Sequence, residues 1–164
     1  MKKFILAFTF VYFALAMSAC VKSVHGPSDN MSDAMYAQSV KAAVDSKETI
    51  KFMDKGYWLA NAAEPGYGQT WGAFGTIVVT DKNLYFLFWN RDDNVFDVLR
   101  KLPVADIVSI NHISSLWSPG DCLSIKDKDG RSDLFSCLEM YSEADLAEKN
   151  RVFLDCLNAA RNSQ

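Results

Sequence analysis

Histidine is scarce in this chain of 164 residues: there are two, His25 and His112, so a Ser–His or Cys–His nucleophile would have to be built on His112. No GxSxG, HExxH or CxxC motif and no phosphate-binding glycine loop occurs, which argues against the hydrolase, zinc and nucleotide chemistries those spacings serve. A basic run is missing too. With 17 Lys and Arg against 20 Asp and Glu the net charge is −3, whereas a nucleic-acid-binding domain carries a concentrated positive face. The acidic stretch KDKDGRSD fails as a calcium loop, because with Gly130 as its glycine an acid would be required at Ile125 and a Glu at Ser136. Asp127, Asp129 and Asp133 therefore read as a hairpin tip, and no metal or cofactor is expected. What is abundant is apolar and aromatic side chain, 49% and 13% of the residues, enough for the core of one modest domain.

The N-terminus carries the most specific signal. Lys2 and Lys3 precede fourteen uncharged residues, Phe4 to Met17, and the small pair Ser18 and Ala19 then leads to Cys20. A membrane-spanning helix needs about 20 apolar residues, so this shorter run reads as a targeting segment over residues 1–19. MSAC resembles the box of bacterial lipoprotein signal peptides, with Met17 where Leu is more usual. The resemblance implies cleavage before Cys20, lipidation of Cys20 and attachment to the cell envelope; a plain secretory signal is the other reading. Val21, in place of an aspartate after the cysteine, implies delivery to the outer membrane, facing the periplasm. Cleavage would leave 145 residues with 15 basic and 20 acidic side chains, a net charge of −5. Acyl chains rather than a basic patch would then supply the anchoring.

Residues 20–30, with Gly26, Pro27, Ser28, Asp29 and Asn30, have the composition of a tether. A helix is expected within 31–48, where Tyr36, Val40 and Val44 share one face. From residue 49 to 161 the pattern is that of strands: IKFM, YWLANA, WGAFGTIVVT, LYFLFW, VFDVLRKL, IVSINHI, and a hairpin of CLSIK with SDLFSC, the first two joined as one interrupted strand. A closing helix is marked by Ser142 as N-cap and by Leu146, Asn150, Phe153, Leu157 and Ala160 at helical spacing.

The order of these pieces resembles PH-like domains, in particular the GRAM and bacterial PH subgroups. Gly75, Thr80, Asp81, Leu84, Phe86, Pro103, Asp106, Ile107 and Gly130 carry the likeness. It implies a mainly β fold: a curved antiparallel sheet or small barrel of about seven strands, capped by one C-terminal helix. Phosphoinositide-binding PH domains place a basic cluster around their first hairpin loop. Here that stretch, NAAEPGYGQTWGA, has Glu64 and no Lys or Arg; it carries Tyr67 and Trp71 among glycines, with Tyr57 and Trp58 just before. Tyr67, Trp71 and the loop tryptophan Trp117 are the candidate contact residues, against core positions for Trp58 and Trp71. In LYFLFW, Leu84, Phe86 and Phe88 share one strand face and Tyr85, Leu87 and Trp89 the other; both are apolar, so one of them is either covered by the N-terminal helix or left as a ligand or partner surface.

With Cys20 set aside, Cys122, Cys137 and Cys156 allow one disulfide at most, Cys137–Cys156 or Cys122–Cys137, or three reduced thiols. The pattern suggests a non-enzymatic binding or assembly domain on a lipid anchor with a protein partner in the envelope. The alternatives are a carrier of a hydrophobic small ligand or lipid, with its cavity between barrel and helix, and a hydrolase using His112.

Overall fold

The computed structural model describes residues 26–60, 72–114, 121–138 and 143–163. Its strands are β1 (Ile50–Leu59), β2 (Gly72–Thr80), β3 (Asn83–Asn90), β4 (Val95–Pro103), β5 (Ile107–Ser114), β6 (Asp121–Asp127) and β7 (Ser132–Cys137), with helices α1 (Ala34–Ala43) and α2 (Glu143–Asn162). One antiparallel sheet takes the order β4-β3-β2-β1-β7-β6-β5, and a single 3₁₀ turn, Val104–Asp106, joins β4 to β5. A seven-stranded antiparallel sheet followed by one C-terminal helix is the arrangement the motif order implied.

The strand expected to be interrupted is continuous. β1 keeps register with β2 from Phe52↔Val79 to Leu59↔Gly72, because each residue that would break it is accommodated. Asp54 pairs with Lys149 of α2 at 3.1 Å and Lys55 Nζ donates to the Asp29 carbonyl at 2.6 Å. Gly56 sits where a Cβ would lie 2.3 Å from Ile77 Cδ1, so its missing side chain is what lets β1 lie against Ile77.

Period-two alternation divides the sheet into two apolar faces. On the inner face Ile77, Val79, Leu84, Phe86, Phe135 and Cys137 pack beneath α2. The stripe anticipated on α2, from Leu146 through Asn150, Phe153 and Leu157 to Ala160, is buried at every position. Phe153 stacks on Phe52 with ring centres 5.4 Å apart and meets Phe135 edge-on at 6.4 Å. On the outer face Val78, Tyr85, Leu87, Trp89 and Phe96 are covered by Tyr36, Val40 and Val44 around α1. The apolar character of β3 on both sides is thereby explained: each face has a helix.

The sheet is strongly curled. If it were flat, β4 would lie about 19 Å from β7 and 24 Å from β6, at roughly 4.8 Å per strand. Arg100 of β4 nevertheless donates from Nη2 to Asp127 Oδ2 and from Nε to Asp133 Oδ2, both at 2.7 Å. One guanidinium therefore clasps the edge strand β4 to the β6–β7 hairpin. The β6–β7 hairpin turns through Lys128, Asp129 and Gly130, with Gly130 at φ +85°, and sets Leu123 opposite Phe135.

The described part of the stretch with tether composition, residues 26–30, is docked on the domain. Gly26 is buried against the Tyr36 ring, Ser28 Oγ donates to the Asp33 carboxylate, and Asp29 is held by Lys55. These local bonds outweigh the turn-forming composition of residues 26–30 and dock them beside α1.

Candidate interaction face

The register places the β1–β2 connection and the β3–β4 turn at one end of the sheet, since Leu59 faces Gly72 and Asn90 faces Val95. At that end Tyr57 and Phe74 are cross-strand partners, their rings 5.1 Å apart and inclined at 51°. Gly72 makes room for the tyrosine: a Cβ there would lie 2.0 Å from its hydroxyl oxygen. Phe74 remains 48% exposed, a large apolar group at the surface beside the Tyr57 ring. On the opposite face Trp58 packs on Phe86 with ring centres 5.6 Å apart, and its Nε1 is buried without a hydrogen-bond partner among the described residues. Trp58 is thus half-buried and packs against the inner core.

One pleat further along the outer face, Lys55 and Thr76 form the next pair in that row. Thr76 Oγ1 and the Tyr36 hydroxyl share a hydrogen bond of 2.6 Å in a fully buried setting. Burial pushes the Tyr36 phenol up to about 12, with Asp54 adding to the rise and the Thr76 hydrogen bond opposing it. Residues 26–29 rest on this pair through Gly26 and Asp29. The result is one strip, from the docked N-terminal segment across Tyr36 and Thr76 to the exposed Tyr57–Phe74 rings.

A second polar node fixes the segment between α1 and β1. Glu48, its side chain 3% exposed, accepts from Thr80 Oγ1 at 2.6 Å, Asn83 Nδ2 at 2.6 Å and the Tyr85 hydroxyl at 2.9 Å. Burial is the main cause of the raised Tyr85 phenol, and the Glu48 carboxylate adds to it. Lys101 lies over the Tyr85 ring, 5.3 Å from its centre. These groups hold the fold together and offer no reacting centre.

Cys20, Tyr67, Trp71, Trp117 and Ser142 lie outside the described residues. Trp89 is buried beneath α1 against Phe96. His112 is exposed on β5, opposite Leu123, and among the described residues no three His, Cys, Asp or Glu side chains gather to hold a metal. No disulfide joins Cys122, Cys137 and Cys156 to one another. Cys137 faces Gly56, whereas Cys156 Sγ lies 3.8 Å from the Lys51 carbonyl, five residues along β1. Cys122 is one residue out of step with Cys137, because Leu123 is the partner of Phe135. The sequence reading passed over Phe74, although its alternation with Thr76 and Val78 places it on the outer face. It also missed Arg100 and Glu48, whose partners are 27 to 37 residues away in the chain.

No protein-family model matches the chain and no curated protein sequence matches it significantly. Among solved structures it is similar to the hSac2 domain from human phosphoinositide phosphatase Sac2, with TM-score 0.51 and 11% identity over 77% of this chain and 79% of that one. The Vps36 N-terminal PH domain gives 0.43 at 15% identity over 70% and 86%. The PH domain of human pleckstrin homology domain-containing protein family A member 5 gives 0.46 at 10% identity over 89% and 94%. At such identities the likeness is one of fold alone: seven antiparallel strands and one C-terminal helix, here with a further helix on the outer face.

Proposed function

We propose that this chain is a bacterial envelope lipoprotein, fixed through Cys20 to the outer membrane on its periplasmic side, whose PH-like domain is a non-enzymatic binding or assembly module with a protein partner in the envelope. The observation that carries this reading is the N-terminal succession of Lys2, Lys3, an uncharged run and the box Met17-Ser18-Ala19-Cys20. Support comes from the placement of residues 26–30, which emerge directly from a folded domain. The binding role is supported by exposed apolar side chains along the edge strand β4, where Val95, Val98 and Leu99 are each 44% exposed or more. A carrier role is less well supported, because Phe153, Leu157, Phe52 and Phe135 fill the space between α2 and the sheet.

The test is expression of the full chain and of Cys20→Ser in a bacterial host, followed by envelope fractionation, N-terminal mass analysis and in-cell crosslinking. The expected result is an acylated Cys20, membrane recovery lost in Cys20→Ser, and a crosslinked protein dependent on the anchor. Membrane association unchanged by Cys20→Ser, or an N-terminus without acyl mass, would overturn the anchor; crosslinks to lipid alone would favour the carrier.

A further inference from the structure

The distance between the anchor and the folded domain is short enough to dictate which surface meets the membrane. Only five residues separate Cys20 from Gly26, the first buried residue against Tyr36. Six peptide steps span at most about 22 Å. A domain of this size has a radius of gyration of about 14 Å and measures some 35 to 40 Å across. A lipidated Cys20 would therefore keep the surface around Gly26 at the bilayer and the far side of the molecule away from it.

That surface is defined by contacts already described. Gly26 touches Tyr36, Tyr36 bonds Thr76, and Asp29 is held by Lys55, the strand partner of Thr76. Two residues further along the same face, about 7 Å away, stand Tyr57 and the exposed Phe74. Aromatic rings with one polar tip suit the headgroup boundary of a bilayer. The charge pattern decides which lipid. Asp92 and Asp93 occupy the turn at this end, offset by Arg91 beside them and by Lys55, whose Nζ donates to the Asp29 carbonyl. With no excess of positive charge the surface offers anionic headgroups no attraction, so it fits zwitterionic lipid.

Resting on the lipoprotein reading above, we infer that the Tyr57–Phe74 pair is the membrane-facing contact of the anchored domain and lies at the headgroup level of a zwitterionic bilayer. The domain then hangs with α2, on the other side of the sheet, turned toward the periplasm. A protein partner would approach along the exposed edge of β4, at Val98 and Leu99, not across the aromatic pair.

The experiment uses the full acylated chain in phosphatidylcholine–phosphatidylethanolamine nanodiscs doped with a gadolinium-chelating lipid, with amide relaxation read residue by residue. Tyr57, Gly72 and Phe74 should be relaxed at least threefold more than Val152, which is exposed on α2. Phe74→Asp, or Phe74→Ser should the charged variant fail to fold, should at least halve the effect at Tyr57 and Gly72 without releasing the protein. Equal relaxation at Val152 and Phe74, or a pattern untouched by the Phe74 variants, would overturn the inference and leave the anchor standing. Absence of acyl mass on Cys20 would instead overturn the anchor itself.

Discussion

Replacing Arg100 by Met keeps most of the apolar stem but removes the guanidinium that joins β4 to Asp127 and Asp133. Those carboxylates are only 5% and 4% exposed, and each accepts one arginine hydrogen bond of 2.7 Å. Removing one partner of a buried ion pair costs about 3–5 kcal/mol. Asp127 keeps the backbone N–H groups of Asp129 and Arg131, at 3.0 and 2.9 Å, and Arg100 is partly in contact with water, so about 2–3 kcal/mol is expected at pH 7. For a domain of this length that corresponds to a fall of roughly 7–10 °C in Tm. The pH dependence carries a definite sign. Burial raises the Asp127 carboxyl, but Arg100 and the two backbone donors outweigh it and hold it below its ordinary value. In the native chain this contribution is fully present above the unfolded carboxyl value of about 3.9 and is lost as pH falls through the lower folded value. In Arg100→Met burial acts with less opposition and the carboxyl rises, so on acidification the variant takes up protons sooner than the native protein. Its deficit must therefore shrink between pH 7 and pH 4. Urea unfolding at both pH values measures this. A deficit below about 0.5 kcal/mol at pH 7, within the range of an ordinary surface change, or one that grows toward pH 4, would refute the clasp.

Phe153→Ala, which removes the ring between Phe52 and Phe135, should cost about 3–5 kcal/mol, against less than about 1.5 kcal/mol for Phe153→Leu; equal melting of the two variants would mean that α2 does not sit over the inner face. Gly26→Val drives a side chain into the Tyr36 ring and should cost about 1–3 kcal/mol, with protease cleavage appearing near residue 26 while β-sheet circular dichroism is retained. In native protein at pH 8, iodoacetamide should alkylate Cys156 and spare the buried Cys122 and Cys137, because burial pushes the Cys137 thiol well up and leaves it protonated. Full protection of Cys156 that is relieved by a reductant would show a disulfide instead.

Local pattern was enough to locate the seven strands and α2, because alternation in GTIVVT and LYFLFW and the helical spacing from Leu146 to Ala160 are dictated by burial. The stripe of Tyr36, Val40 and Val44 likewise matched a docked face. Its destination on β2, β3 and β4 was not legible, since two apolar faces of β3 say only that both are covered. β1 looked interrupted because Asp54, Lys55 and Gly56 carry poor strand propensity; their partners, Lys149, Asp29 and Ile77, lie far away in sequence. Arg100 and Glu48 read as ordinary charged residues for the same reason. The hairpin register could be anticipated from Gly130, whose positive φ fixes a three-residue turn. Phe74 was hidden among apolar neighbours that became core, and what separates it from Val78 on the same face is that the cluster around α1 takes in Val78 and not Phe74.

The position of α1 has a mechanical side. A pull delivered from the N-terminus reaches Gly26 and then α1, whose grip on the sheet is the small cluster of Tyr36, Val40 and Val44, before any load arrives at β1. The inner face, closed by α2 and the Arg100 clasp, lies behind that first link. Force would therefore peel the molecule in stages. The first stage strips α1 away and bares Tyr85, Leu87 and Trp89 while the remaining barrel still holds its shape.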